Sequence, residues 1–217
     1  MIRVFIFGVA AVAASTTSAV AQFEFSLYGG VQSAPDSAVS VTGAVPENFI
    51  AGWDGKSFES APYYGVRGTY WFDAAPQWGV SIDFTHAKVY ADGETFAEDI
   101  PDWSDLEFSD GLNVLTLNAM RRFEEWNRLT PYVGVGAGVS LPHVDITRPE
   151  GRTFGLQFGG PAFEALAGVS LPLTDHIAVF GEYQFNYTIN TITLDNGDRL
   201  STDIVLNAVA AGVSLRF

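Results

Sequence analysis

The chain has 217 residues, a formal net charge of −14 and no cysteine, and 47% of its residues are hydrophobic. The acidic balance excludes a nucleic-acid binder, which needs a basic surface. The missing cysteines exclude a disulfide framework and a thiolate metal site.

Met1-Ile2-Arg3 is a short basic start, followed by an apolar run of 11 residues from Val4 to Ala14. Ala19-Val20-Ala21 has the small-x-small form of a signal-peptidase site. The run is too short to span a bilayer, so residues 1–21 are predicted to be a removed export signal with Gln22 as the new first residue. The remainder, 22–217, suits a single domain and leaves no room for a sizeable second one.

Eight strand-like segments follow, at roughly 23–33, 58–73, 77–90, 109–124, 131–147, 156–173, 177–193 and 200–217. Long loops are expected at 34–57 and 91–108, and shorter ones at 148–155 and 194–199. Tight turns are expected at 74–76, 125–130 and 174–176, at the opposite end. Asp195-Asn196-Gly197-Asp198 has good hairpin chemistry.

The alternation within segments assigns faces, because successive strand residues point to opposite sides. On the third segment Trp78, Val80, Ile82 and Phe84 share one face, with Ser81, Asp83 and Thr85 on the other. On the seventh, Ile177, Val179, Tyr183, Phe185 and Tyr187 oppose Glu182, Gln184 and Asn186. Arg67, Arg122, Glu164 and Arg216 fall on the polar face. Such segments fit a wall with lipid outside and a packed polar lumen inside. The fold predicted is all-β: an eight-stranded antiparallel transmembrane β-barrel of the OmpA/OmpX-like kind. Its long loops lie outside the cell and its turns in the periplasm. A barrel this narrow is filled by its own side chains, so the inward charges read as structural pairs and not as a transport path.

Several strings carry other readings. Gly134, Gly136 and Gly138 lack the strand-turn-helix context of a nucleotide loop, and their shared parity suits room for large inward side chains. Asn186-Tyr187-Thr188 lies mid-strand, where a glycosylation signal is discounted. Between Asp92 and Asp110 there are eight acids and no Lys or Arg, which reads as a solvated loop without calcium-loop spacing. His176 falls in a periplasmic turn, where solvation accounts for it.

His86 and His143 are the candidates for chemistry. The outward parity runs from Phe84 to His86 and Lys88, and from Leu141 to His143 and Asp145. Both histidines come about 20–25 Å above the periplasmic rim, at the outer-leaflet headgroup level. Ser109 and Asn113 lie on the strand between, and strands two apart are separated by about 10 Å. His86, His143 and Asp145 are adequate for acid–base work or for a 2-His-1-carboxylate metal site. Lys88, Asn113 and Ser109 would bind the substrate. Interfacial anchoring accounts for the same residues equally simply. Pro142 marks a place where a bulge would flip the parity.

The stretches GWDGKSFESAPYYGVR (Gly52–Arg67), FTHAKVYAD (Phe84–Asp92), LEFSDGLNVLTLNA (Leu106–Ala119), PYVGVGAGVSLPHV (Pro131–Val144), VFGEYQFNYT (Val179–Thr188) and LNAVAAGVSLRF (Leu206–Phe217) cover most of the chain after the signal. Together they resemble the small outer-membrane lipid A oxidase-like barrels of alphaproteobacteria. The final strand, ending in Phe217, also resembles the terminal signal of outer-membrane barrels, which implies the barrel assembly machinery as a partner. The resemblance implies residence in the bacterial outer membrane, with lipid A of lipopolysaccharide as partner. It also implies oxygen-dependent oxidation of the proximal glucosamine to 2-aminogluconate. It supplies no catalytic set, so the site residues rest on position and chemistry. Direct two-electron reaction of a sugar with ground-state oxygen is spin-restricted, and no flavin or nicotinamide motif is present. A divalent metal is therefore the candidate cofactor. The alternative is a non-catalytic barrel that stabilises the outer membrane or presents acidic extracellular loops.

Overall fold

The computed structural model describes residues 22–217; the expected export signal, 1–21, lies outside them. In chain order the strands are β1 (Phe23–Ser33), β2 (Ser37–Thr42), β3 (Glu47–Ala51), β4 (Trp53–Asp54), β5 (Tyr64–Phe72) and β6 (Ala75–Ala91). They continue as β7 (Asp105–Arg122), β8 (Thr130–Arg148), β9 (Gly151–Leu156), β10 (Gly160–Pro172), β11 (Ile177–Thr193) and β12 (Arg199–Arg216). One short helix, α1 (Gly93–Glu98), separates β6 from β7. Antiparallel neighbours run β1–β5–β6–β7–β8–β10–β11–β12, and β12 pairs back onto β1 through Phe25↔Leu215 and Val31↔Val209. The ring is closed, so its wall has no free edge. The helix is too short to cross a membrane, as a closed ring of strands can.

The period of two holds around this wall. Trp78, Val80 and Ile82 are exposed on the outside, while Ser81, Asp83 and Thr85 are buried inside. On β11, Ile177 and Tyr183 are exposed, and Glu182, Gln184 and Asn186 are buried. Gly136 lies opposite Asn118 of β7, whose amide would occupy the place of its Cβ, so the inward glycine does make room for a larger neighbour.

The lumen is filled in two layers. The lower is ionic. Arg67 Nε donates to Asp83 at 2.5 Å, and its two terminal nitrogens grip both Glu182 oxygens at 2.8 Å each. Tyr28 donates to Asp83 at 2.7 Å, and Tyr132 to Glu182 at 2.7 Å. Glu164 accepts from Thr116 and from Asn118. These groups come from seven wall strands, and each charge is met by a partner that offsets part of its burial cost. The upper layer is apolar: Ala87, Val89, Leu106, Phe108, Val144 and Ile146 pack with Val39, Val41 and Trp53.

That upper layer corrects the reading of the loops. Residues 34–57 form the β2–β3 hairpin, which pairs β12 through Arg199↔Thr42 and Thr202↔Val39. Trp53 of β4 pairs Ala91 at the top of β6. Where β1 and β5 run out, these three strands continue the wall. The acidic run also carries α1, capped by Asp92, whose side chain accepts from Thr95 N–H at 2.8 Å. The sixth predicted segment, 156–173, corresponds to β10, whereas the loop predicted at 148–155 holds a further strand, β9. Residues 157–159 between the two are tied to β8 by Gln157 N–H to Pro142 C=O and Gly159 N–H to Ser140 C=O.

Arg148 locks the long-loop end. Its guanidinium lies 2.9 Å from Glu150, 3.7 Å from Asp198 and 4.0 Å from Glu47. Asp198 also accepts from the Ala44 N–H at 2.7 Å. The Ala44 N–H holds the Asp198 carboxyl below its ordinary value of 3.8, helped by Asn196, the Val45 N–H and Arg148. A depressed carboxylate stabilises the fold above its unfolded value and loses that contribution as pH falls through the lower, folded value. The protection of the Ala44 and Val45 amides against hydrogen exchange, relative to their intrinsic rates, should therefore hold above the ordinary carboxylate value and fall as the pH drops through the lower, folded one. Asp198→Asn should make exchange fast at neutral pH; unchanged exchange would show that the carboxylate does not hold this loop. In the lumen, Arg67→Ala leaves Asp83 and Glu182 without their cation and should cost about 3–5 kcal/mol, read as a lower urea midpoint.

Candidate functional site

His86 lies on β6, eight residues above Trp78, which places it about 20 Å up a tilted wall. Its neighbours across the two ladders are Tyr64 on β5 and Asn113 on β7. The imidazole stacks on the Tyr64 ring, with centroids 5.0 Å apart and planes at 24°. Its Nδ1 is 2.9 Å from Asn113 Oδ1.

Asn113 decides the tautomer. Its amide nitrogen donates to Leu141 C=O at 3.1 Å and, at a longer 3.4 Å, to Gly111 C=O. That orientation turns the amide oxygen towards His86, and an amide oxygen only accepts. Nδ1 therefore carries the proton, and Nε2 presents its lone pair. Nε2 is buried and has no hydrogen-bond partner among the described residues.

The backbone beside it is irregular. Between Glu107 and Leu112 the β7 ladder skips: Leu112 pairs Pro142, and the next paired residue, Glu107, opposes Asp145. Four residues on β7 thus face two on β8. Gly111 has φ +129°, and a Cβ there would run into the His86 ring and the Asn113 amide. Only glycine allows the chain to pass so close to the imidazole. The bulge expected at Pro142 on β8 lies instead on this partner strand, and the parity of β8 is kept: Leu141, His143 and Asp145 share one face, with Pro142 and Val144 buried on the other.

The remaining candidates divide. His143 sits edge-on to Phe154 of β9, with centroids 4.8 Å apart. Asp145 is taken by Arg152, which donates to both carboxylate oxygens at 2.8 and 2.6 Å. Ser109 lies in the β7 bulge and is half-buried. Lys88 departs most from expectation. It is only 2% exposed, and its Nζ donates to Ser60 C=O at 2.8 Å, so it does not reach outward to a headgroup. The segment before β5 covers it, which strand parity alone cannot reveal. Among the described residues no three His, Asp or Glu side chains converge as a metal-ligand set, so the 2-His-1-carboxylate arrangement is not formed. Tyr64 is the contributor that sequence reading missed; its alignment opposite His86 depends on the register of β5.

The tautomer assignment is testable by imidazole nitrogen NMR. His86 should give the signature of a proton on Nδ1 and a bare Nε2 in the wild type. Asn113→Leu should remove that preference; a spectrum unchanged by this substitution would show that Asn113 does not set it.

The model of the outer membrane protein beta-barrel domain matches residues 5–217. Among solved structures, Neisserial surface protein A is 15% identical, with 90% of this chain and 97% of that one covered at a TM-score of 0.50. The outer membrane protein AlkL, determined in DMPC bilayers, is 15% identical, with 97% of each chain covered at a TM-score of 0.52. At such identity these likenesses speak for the fold alone. No curated protein sequence matches the chain. The matched family, the closed eight-stranded ring and the apolar outer wall agree: the protein resides in the bacterial outer membrane and belongs to the outer membrane protein beta-barrel domain family.

Proposed function

We propose that the protein is a lipid A-modifying oxidase acting at the outer leaflet, with His86 as its general base. The observation that supports this reading most is the buried, unpartnered His86 Nε2 on a strand position of outward parity, with the ring held by Tyr64 and Asn113 beside the β7 bulge. Lipid contact alone asks for apolar side chains there, as at Ile82 and Leu117.

In the reaction, the anomeric carbon of the proximal glucosamine loses two electrons and two protons to molecular oxygen. The products are a lactone and hydrogen peroxide, and water opens the lactone to the 2-aminogluconate. His86 Nε2 accepts the proton of the anomeric hydroxyl. The hydroxyl must be free, so the 1-phosphate has to be absent beforehand. His143 and the Asp145–Arg152 pair, two strands on, border the headgroup, and Lys88 supports the site by anchoring the segment before β5.

A second reading, a non-catalytic barrel that stabilises the membrane, is favoured by the paired luminal charges and the Arg148 lock. Mass spectrometry of lipid A lacking the 1-phosphate separates the two. Expression of the protein should add one oxygen to the proximal sugar, and His86→Ala should lower turnover about 10²–10⁴-fold while the barrel still folds. If purified protein supplied with oxygen and a range of divalent metals leaves that lipid unchanged, the structural reading holds.

A further inference from the structure

We infer that the periplasmic mouth of the barrel is a binding site for a small oxyanion, a phosphate or a carboxylate, gripped by Arg122. A cavity of about 70 Å³ occupies this end of the lumen, bounded by the last inward residues of the wall strands. Its ceiling is the Arg67 layer with Tyr132 and Phe180, so it ends blind. It is roomy enough for several waters or one small anion.

Three guanidiniums line it, against one carboxylate, Glu24. Arg67 is committed to Asp83 and Glu182. Arg216 is committed to Glu24 at 3.2 Å and to Ser170 Oγ at 3.0 Å. Arg122 differs. Its Nε donates to Pro76 C=O at 2.5 Å and its plane lies over the Trp71 ring at 4.6 Å, which fixes the group in place. No carboxylate pairs with it among the described residues. A fixed guanidinium with its terminal nitrogens left over matches the planar fork of an oxyanion.

A second, independent group points to the same ligand. Trp71 is buried, lines the cavity, and has an indole N–H without a hydrogen-bond partner among the described residues. An indole N–H only donates, so it asks for an acceptor. The Thr69 hydroxyl also lines the cup, and Ser26 and Ser214, hydrogen-bonded to each other at 2.8 Å, keep one hydroxyl proton between them to donate. In a chain of net charge −14, a concave site with an unspent cation selects anions by local chemistry and not by the overall field.

The test titrates nitrogen-15-labelled mature protein in uncharged detergent at constant ionic strength and follows the Trp71 indole resonance. The probes are inorganic phosphate and a short peptide with a free carboxy-terminus, with its amide as control. The expected result is a saturating shift of Trp71, while Trp78 on the outer wall stays fixed. Arg122→Gln should weaken binding about ten-fold or more, and Arg122→Lys should keep part of it. Saturation by phosphate alone identifies a free ion; saturation by the peptide acid but not its amide identifies a chain terminus. If neither probe saturates, or if Arg122→Gln binds as well as the wild type, the inference falls. Should Arg122→Gln fail to fold, the wild-type titration and the lysine variant decide it.

Discussion

The Arg67 fork between Asp83 and Glu182 is the interaction on which the rest of the molecule leans. An eight-stranded ring encloses too little space for water to solvate its inward groups, so whatever faces in must be satisfied by the opposite wall. Arg67 links β5 to β6 and reaches across the lumen to β11. Tyr28 and Tyr132 then fasten β1 and β8 to the same two carboxylates. With the inside fixed, parity leaves apolar residues such as Val80 and Val213 no place but the outside, and the ring presents lipid with the surface it needs.

The outward site depends on that lattice from behind. Asp83 and His86 share β6 and have opposite parity, so the pull of Arg67 on one side sets the frame from which His86 projects on the other. The local departure from regularity falls on β7, where Gly111 allows the chain to pass close to the imidazole. A bulge costs ladder hydrogen bonds, and here it lies beside an imidazole with a bare nitrogen.

Most of the wall was legible because strand periodicity needs only neighbouring residues: the faces of β6 and β11 follow from alternation alone. The closing β12, with Phe217 after it, was legible for the same reason. Parts that depend on distant chain segments were not. Val39 and Val41 alternate over too short a span to announce a strand that extends the wall above β1. Lys88 has outward parity, yet Ser60 lies over it. The bulge was expected at a proline and found at a glycine, because what matters there is room beside the His86 ring. Within the candidate site, the His86–Asn113 pairing was accessible from strand order, while the Tyr64 stack and the capture of Asp145 by Arg152 required the actual register and the β9 return.

The replacement of β1 and β5 by β2, β3 and β4 above the membrane changes what counts as a loop in this protein. In a plain barrel, long outer connections are the natural places to shorten, swap or graft a foreign epitope. Here residues 37–54 are wall, and trimming them would uncover the apolar upper layer around Leu106 and Phe108 to water. The exposed chain at Pro149 and at Asp195–Gly197 covers no core residue, but a graft there has to keep Glu150 and Asn196, which serve the Arg148 lock. Sequence drift among relatives should follow the same division, with the outer hairpin changing as slowly as the strands it extends.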